Sequence, residues 1–150
     1  MKLRILTTCL MLLSAIGLYS CKEEKNIAFD KLPQTAQQFV EQHFSSQKVV
    51  RIVQDKDDGR KDYEVIFENG TTIDFNESGA WTHIESTFTP LPVSFLPASL
   101  QTDLAQRYPD ASVHEIDLEL GGYEIELGNR RTLYYTTDGT YVREAPSEID

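Results

Sequence analysis

Tyr63-Glu64-Val65-Ile66-Phe67 and Tyr123-Glu124-Ile125-Glu126-Leu127 are one strand written twice, sixty residues apart. In each, the tyrosine and the residues two and four places after it are apolar, the alternation of a strand with one buried face. The same offset continues downstream, where Phe75, Gly79 and Trp81 match Tyr135, Gly139 and Tyr141. Upstream, Leu32-Pro33 opens a stretch with Ala36, Phe39, Val40 and Phe44 at helical spacing. Sixty-four residues later Leu96-Pro97 opens another, with Leu100, Leu104 and Tyr108. Thr35 and Ser99 stand where an N-cap is expected. Two copies of one unit therefore fill nearly all of the chain beyond residue 31.

Each copy reads as a helix followed by four strands. They fall near residues 48–55, 62–68, 71–76 and 80–87 in the first copy, and 112–120, 123–127, 131–136 and 140–144 in the second. The repeats are 32–88 and 96–145, joined by a linker, 89–95, whose Pro90 and Pro92 oppose regular structure. A tail, 146–150, follows. Two helices are too few to cover both faces of such a sheet. The expected fold is α+β, a tandem repeat of helix plus four-stranded antiparallel sheet. The two sheets join into one concave surface with both helices on one face and the other face open.

Ahead of the repeats, Lys2 and Arg4 precede an apolar run from Ile5 to Leu18, too short for a spanning helix and laid out like a secretion signal covering residues 1–20. Leu18-Tyr19-Ser20-Cys21 resembles a bacterial lipobox, which implies cleavage before Cys21 and a lipid on its sulfur. Residues 21–31 would then be a lipidated tether, and membrane contact would come only through the lipid, at the periplasmic or outer surface of the outer membrane. The alternative is a secreted chain with Cys21 as a free thiol, since Cys9 lies in the signal and leaves no partner for a disulfide. Lys22-Glu23-Glu24-Lys25 is similar to acidic export tags of Bacteroidetes surface lipoproteins, and reads equally well as a solvated tether. The 14 lysines and arginines, less the two in the signal, leave 12 basic against 24 acidic residues in the mature part. A surface with net charge −12 excludes nucleic acid and anionic headgroups as partners and favours a basic protein or peptide.

Turn chemistry decides which residues face outward. Gly121-Gly122 suits a two-residue hairpin loop, pairing Leu120 with Tyr123 and Leu118 with Ile125 on one face and the acids on the other. At Asn76-Glu77-Ser78-Gly79 a type I turn followed by a glycine bulge needs positive φ only at Gly79. It pairs Phe75 with Trp81, and Tyr135 with Tyr141, aiming all four rings at the helices. The open face then carries Glu64, Glu68 and Asp74 in the first copy, and Glu115, Asp117, Glu119, Glu124, Glu126 and Tyr134 in the second. The other register places Trp81, His83, Tyr134, Tyr141 and Arg143 there together, a set suited to an interface centre. Like charges opposite one another cost up to about 1 kcal/mol per pair. A binding surface tolerates that cost, and so does a face kept acidic for solubility. A divalent cation is the weakest reading, because flat strands lack the loop that wraps calcium.

No catalytic or metal-binding spacing stands out. His43, His83 and His114 fall one each in a helix and two strands, without paired zinc-ligand spacing, and no cofactor motif is present. His43 aligns with Arg107 and His83 with Arg143, which suits polar positions at a core rim. Paired acids on one strand ladder come without a sugar-sized cleft.

The doubled helix-plus-four-strand unit, the Leu-Pro helix starts, the Tyr-x-Val/Ile strands and the turns Ser78-Gly79-Ala80-Trp81 and Asp138-Gly139-Thr140-Tyr141 resemble the PepSY-like family of beta-lactamase-inhibitor-like proteins, over about residues 32–145. The resemblance implies a concave antiparallel sheet backed by helices, with no catalytic residues to carry over. The expected function is a non-enzymatic envelope lipoprotein binding a protein or peptide through Asp117, Glu119, Glu124, Glu126, Tyr134, Glu64 and Asp74. An enzyme inhibitor and a surface protein without a specific ligand are the alternatives. Oligomeric state is not encoded in these patterns.

Overall fold

The computed structural model describes residues 23–57 and 59–146. The signal, Cys9 and Cys21 lie outside these residues. Nine strands form one antiparallel sheet in sequence order: β1 (Glu23–Asn26), β2 (Val49–Asp57), β3 (Arg60–Phe67), β4 (Thr71–Phe75), β5 (Trp81–Ser86), β6 (Val113–Glu119), β7 (Gly122–Leu127), β8 (Arg131–Thr136) and β9 (Tyr141–Pro146). Helices α1 (Gln34–His43) and α2 (Ala98–Arg107) open the two repeats. The tandem α+β architecture is as the repeats require. The segment expected to be a tether is ordered from Glu23, because β1 pairs with β2 through Glu23↔Lys56 to Asn26↔Val53. No helix among the described residues is long and apolar enough to cross a membrane.

One core runs the length of the sheet beneath both helices. Ala36 and Val40 of α1 and Leu100 and Leu104 of α2 pack with Val65, Ile73, Ile84, Ile116, Ile125 and Leu133, all buried. A fully buried side chain of this size contributes about 1.5–3 kcal/mol. The strand residues alternate between this core and the opposite face, on which no helix among the described residues lies.

The helix starts differ from the sequence expectation in the same way twice. Pro33 and Pro97 occupy the N-cap positions, with no side-chain cap bond. Thr35 and Ser99 instead donate their hydroxyls to the carbonyls of Ser78, at 2.7 Å, and Asp138, at 2.6 Å. Each hydroxyl thus ties its helix to the β4–β5 or β8–β9 turn. Gln37 and Gln101 reach back to the carbonyls of Leu32 and Leu96. The turns require glycine: Gly79 and Gly139 have φ of +82° and +80°. A Cβ on either would overlap the threonine or serine hydroxyl and the proline ring beneath it.

The β6–β7 hairpin corrects the expected register. Leu118 pairs with Tyr123 and Glu119 with Gly122, so the loop is Leu120-Gly121 and the pairing has slipped by two residues. Gly122 is needed in the ladder and not in the turn, because a Cβ there would overlap the Tyr135 carbonyl of β8. A slip of two keeps every side chain on its expected face. Leu120 is left fully exposed at the tip.

At the last turn of each repeat Phe75 pairs with Trp81 and Tyr135 with Tyr141, as the glycine-bulge reading requires. The rings point to the helices, Trp81 stacking on Phe39 at 6.1 Å and Tyr141 lying under the Arg107 guanidinium at 4.0 Å. One residue later the sequence reading fails. Asp74 pairs with His83, not Thr82, and Tyr134 with Arg143, not Val142. Thr82 and Val142 are extra residues in a second bulge, which brings Ile84 and Glu144 onto the helix side and turns His83 and Arg143 to the open side. His83 is therefore not at a core rim.

Two measurements test these contacts. Gly79→Ala is expected to lower unfolding free energy by about 1–3 kcal/mol in urea titration, since it combines overlap with a strained φ. Gly59→Ala, at φ +85° with nothing near its Cβ, should cost less. Trp81 emission should be blue-shifted and resist iodide, and Phe39→Ala should shift it to the red.

Candidate functional site

Across the open face, consecutive partners form one row: Glu64, Asp74, His83, Asp117, Glu124, Tyr134 and Arg143, one from each strand β3 to β9. At the usual strand spacing the row spans roughly 29 Å. A second row beside it runs Thr72, Glu85, Glu115, Glu126 and Thr132. Asp117, Glu124, Glu126, Tyr134, Glu64 and Asp74, picked out from the sequence, thus lie in two adjacent rows. Glu119 is exposed at the end of β6, farther from the centre, and Glu68 lies beyond β3 in an ion pair with Lys48 at 2.8 Å.

The first repeat contributes a depression of about 620 Å³ at one end of this face. Arg51, Asp55, Asp62, Glu64, Asp74 and Thr82 are among its lining residues. Arg51 donates to the Asn26 side chain at 2.8 Å. At the other end Tyr134 donates its hydroxyl to Glu124 at 3.1 Å, and the Arg143 guanidinium sits 3.4 Å over the Tyr134 ring. The face is acidic through its middle, with Arg51 at the β2 end and the Tyr134–Arg143 stack at β8 and β9.

His83 is the one base at the centre, at the seam between the repeats. Three residue pairs join β5 to β6: His83↔Asp117, Ile84↔Ile116 and Glu85↔Glu115. His83 Nδ1 lies 2.7 Å from an Asp117 oxygen and 3.9 Å from one of Glu115, and Nε2 lies 3.9 Å from Glu85. The hydrogen bond to Asp117 pushes the imidazole up to about 9, opposed by burial and helped by the charges of Asp117, Glu115 and Asp74. Glu115 is pushed up to about 7, chiefly by burial and then by the Asp117 charge, with His83 opposing. Burial also raises Asp74, against the pull of His83. At neutral pH the centre is an imidazolium among carboxylates that outnumber it.

Sequence reasoning missed Glu85, and it brought His83 and Arg143 to this face only in the alternative register that carried Trp81 and Tyr141 with them, whereas the structure separates the two pairs. The signal for that separation was available in the spacing of Trp81 and Ile84, two residues suited to the core but three positions apart, which a regular strand cannot place on one face. The other histidines lie elsewhere. The ring of His43 packs against Phe39 and Phe95. His114 donates from Nδ1 to the Ser86 carbonyl and accepts the Ser112 hydroxyl at Nε2, both at 2.9 Å, bracing the end of the seam.

The described residues form an open antiparallel sheet backed by two helices, with a charged face that no helix among them covers. The chain belongs to the PepSY-like family, described as "Putative beta-lactamase-inhibitor-like, PepSY-like", whose model matches residues 18–60 and 61–143. Among solved structures, one described as a "putative calcium-regulated periplasmic protein" from Bacteroides thetaiotaomicron is 36% identical, covers 81% of this chain and 96% of its own, and superimposes with a TM-score of 0.76. A "putative periplasmic protein" from Bacteroides vulgatus is 31% identical, with 82% and 97% covered and a TM-score of 0.75. A second from the same species, of unknown function, is 25% identical, with 82% and 99% covered and a TM-score of 0.74. No curated protein matches the chain. These relatives are periplasmic by description, and their family carries an inhibitor-like name and no catalytic one.

The raised values of His83 and Glu115 give stability a definite pH dependence. Both groups bind more protons folded than unfolded, so unfolding free energy falls as pH rises. The Glu115 share is whole below its ordinary 4.5 and gone above about 7. The His83 share is whole below its ordinary 6.5 and gone above about 9. Denaturant midpoints are expected to drop between pH 6.5 and 9, and Asp117→Asn should flatten that decline. A midpoint that rises across this window contradicts the assignment.

Proposed function

We propose that this chain is a non-enzymatic binding module of the cell envelope, held by a lipid on Cys21, that takes a basic protein or peptide on its open acidic face. The observation that carries the reading is the central row. It crosses the junction of the repeats with Glu64, Asp74, Asp117 and Glu124, and His83 is its only internal cation. A lysine- or arginine-rich segment laid across the strands would supply the missing charge at each strand interval. A target enzyme with a basic rim would present the same chemistry, which fits the inhibitor-like family name. The periplasmic relatives support the compartment, and the lipobox-like Leu18-Tyr19-Ser20-Cys21 supports the anchor.

A second reading has its own support. The 36% identical relative is described as calcium-regulated, and carboxylates are the ligands calcium prefers. Under this reading the same face takes a divalent cation.

Calorimetry with a lysine-rich decapeptide tests the first reading. Affinity should fall steeply between low and physiological salt, and Glu124→Lys should weaken it about tenfold, or 1.4 kcal/mol. Binding unchanged by that reversal, or insensitive to salt, would overturn it. Mass spectrometry of the native protein should find a lipid on Cys21.

A further inference from the structure

Three donor groups on the open face converge as no others do among the described residues. A ring nitrogen of His83 and one oxygen each from Glu115 and Asp117 all lie within 4.8 Å of one another. The arrangement follows from the strands. Glu115 and Asp117 are two apart on β6 and so share a face, and His83 stands directly opposite Asp117 on β5. The bulge at Thr82 is what brings the histidine there, since without it residue 83 would point to the helices.

We propose that His83, Glu115 and Asp117 form a site for a divalent transition ion of the zinc class, bridging the two repeats at their seam. The inference rests on the reading of this face as a cation-binding surface and names which cation its centre prefers. Zinc accepts one imidazole and two carboxylates with a fourth position left to water, at bonds of about 2.0–2.2 Å. Such bonds put donor atoms about 3.4 Å apart, between the 2.7 Å and 3.9 Å that now separate Nδ1 from Asp117 and Glu115. Modest side-chain rotation suffices.

Calcium needs six to eight oxygens wrapped around it. Two strands of a flat sheet offer three donors from one side, one of them nitrogen, so the centre suits zinc better. The ion takes the place of the proton between Nδ1 and Asp117, which leaves to solvent, and the imidazole binds in its neutral form. Glu85, 3.9 Å from Nε2, is placed to orient the ring from behind. All three side chains are partly exposed, so the ion has a path in. A bound ion would fasten β5 to β6, where only three residue pairs join the repeats.

The test is calorimetric titration of the metal-free folded protein with zinc chloride and, separately, calcium chloride, on the native chain and on His83→Gln. Circular dichroism and Trp81 emission serve as fold controls. Zinc should bind at least tenfold more tightly than calcium, and His83→Gln should weaken zinc at least tenfold while changing any calcium affinity less than twofold. If His83→Gln disturbs the fold, His83→Asn and Asp117→Asn replace it with the same expected loss of zinc. Zinc binding that survives in a folded His83 variant, or is no tighter than calcium, overturns the site. Calcium or lysine peptide binding without zinc binding overturns this inference and leaves the cation-binding reading standing. Absence of all three overturns both.

Discussion

Each repeat has to deliver an aromatic ring and a residue three positions later to the same side of one strand. Trp81 and Ile84 do this in β5, and Tyr141 and Glu144 in β9. An unbroken strand would send one of each pair to solvent, at a loss of about 1.5–3 kcal/mol for a side chain as large as Ile84. The extra residue at Thr82 or Val142 removes the conflict. It also rotates the rest of the strand, so the content of the open face is set by a packing demand on the buried one. His83 reaches the centre of the acidic rows because Ile84 must reach the core.

This explains how far the sequence could be read. Repeat offsets, Leu-Pro starts and period-two alternation are local patterns, and they led to the two helices, the strands that follow them and the outward carboxylates. The Gly79 and Gly139 turns were legible because only one turn type confines positive φ to the glycine. Gly122 misled because a glycine fits both a turn and a close approach of strands, and only β8 distinguishes them. The strand status of Glu23–Asn26 was hidden in the same way, since a short charged stretch becomes an edge strand only when a neighbour offers its ladder.

The two copies have kept the frame and changed the filling. Phe39, His43, Phe75 and Trp81 line the helix side of the first repeat. Their counterparts in the second are Asp103, Arg107, Tyr135 and Tyr141, joined by the Tyr135–Asp103 bond at 2.9 Å and the Arg107–Asp103 ion pair at 2.7 Å. Either filling works because both leave no ring or charge without a contact. On the open side the copies differ in another way. The first ends in the Arg51 depression, the second in the Tyr134–Arg143 stack, and the carboxylates gather where they meet.

That gathering bears on purpose. Glu64 faces Asp74, Glu85 faces Glu115, Glu115 faces Glu126 and Asp117 faces Glu124, each directly across a strand pair. At a few tenths to about 1 kcal/mol each, the four together cost a sizeable part of a stability that in domains of this kind is about 5–15 kcal/mol. Solubility needs exposed charge, but it is served equally by acids alternating with lysines across the ladder, which would turn each repulsion into an attraction. Repulsion of one sign, concentrated over the seam beside a single imidazolium, is the feature that the proposed cationic partner would relieve.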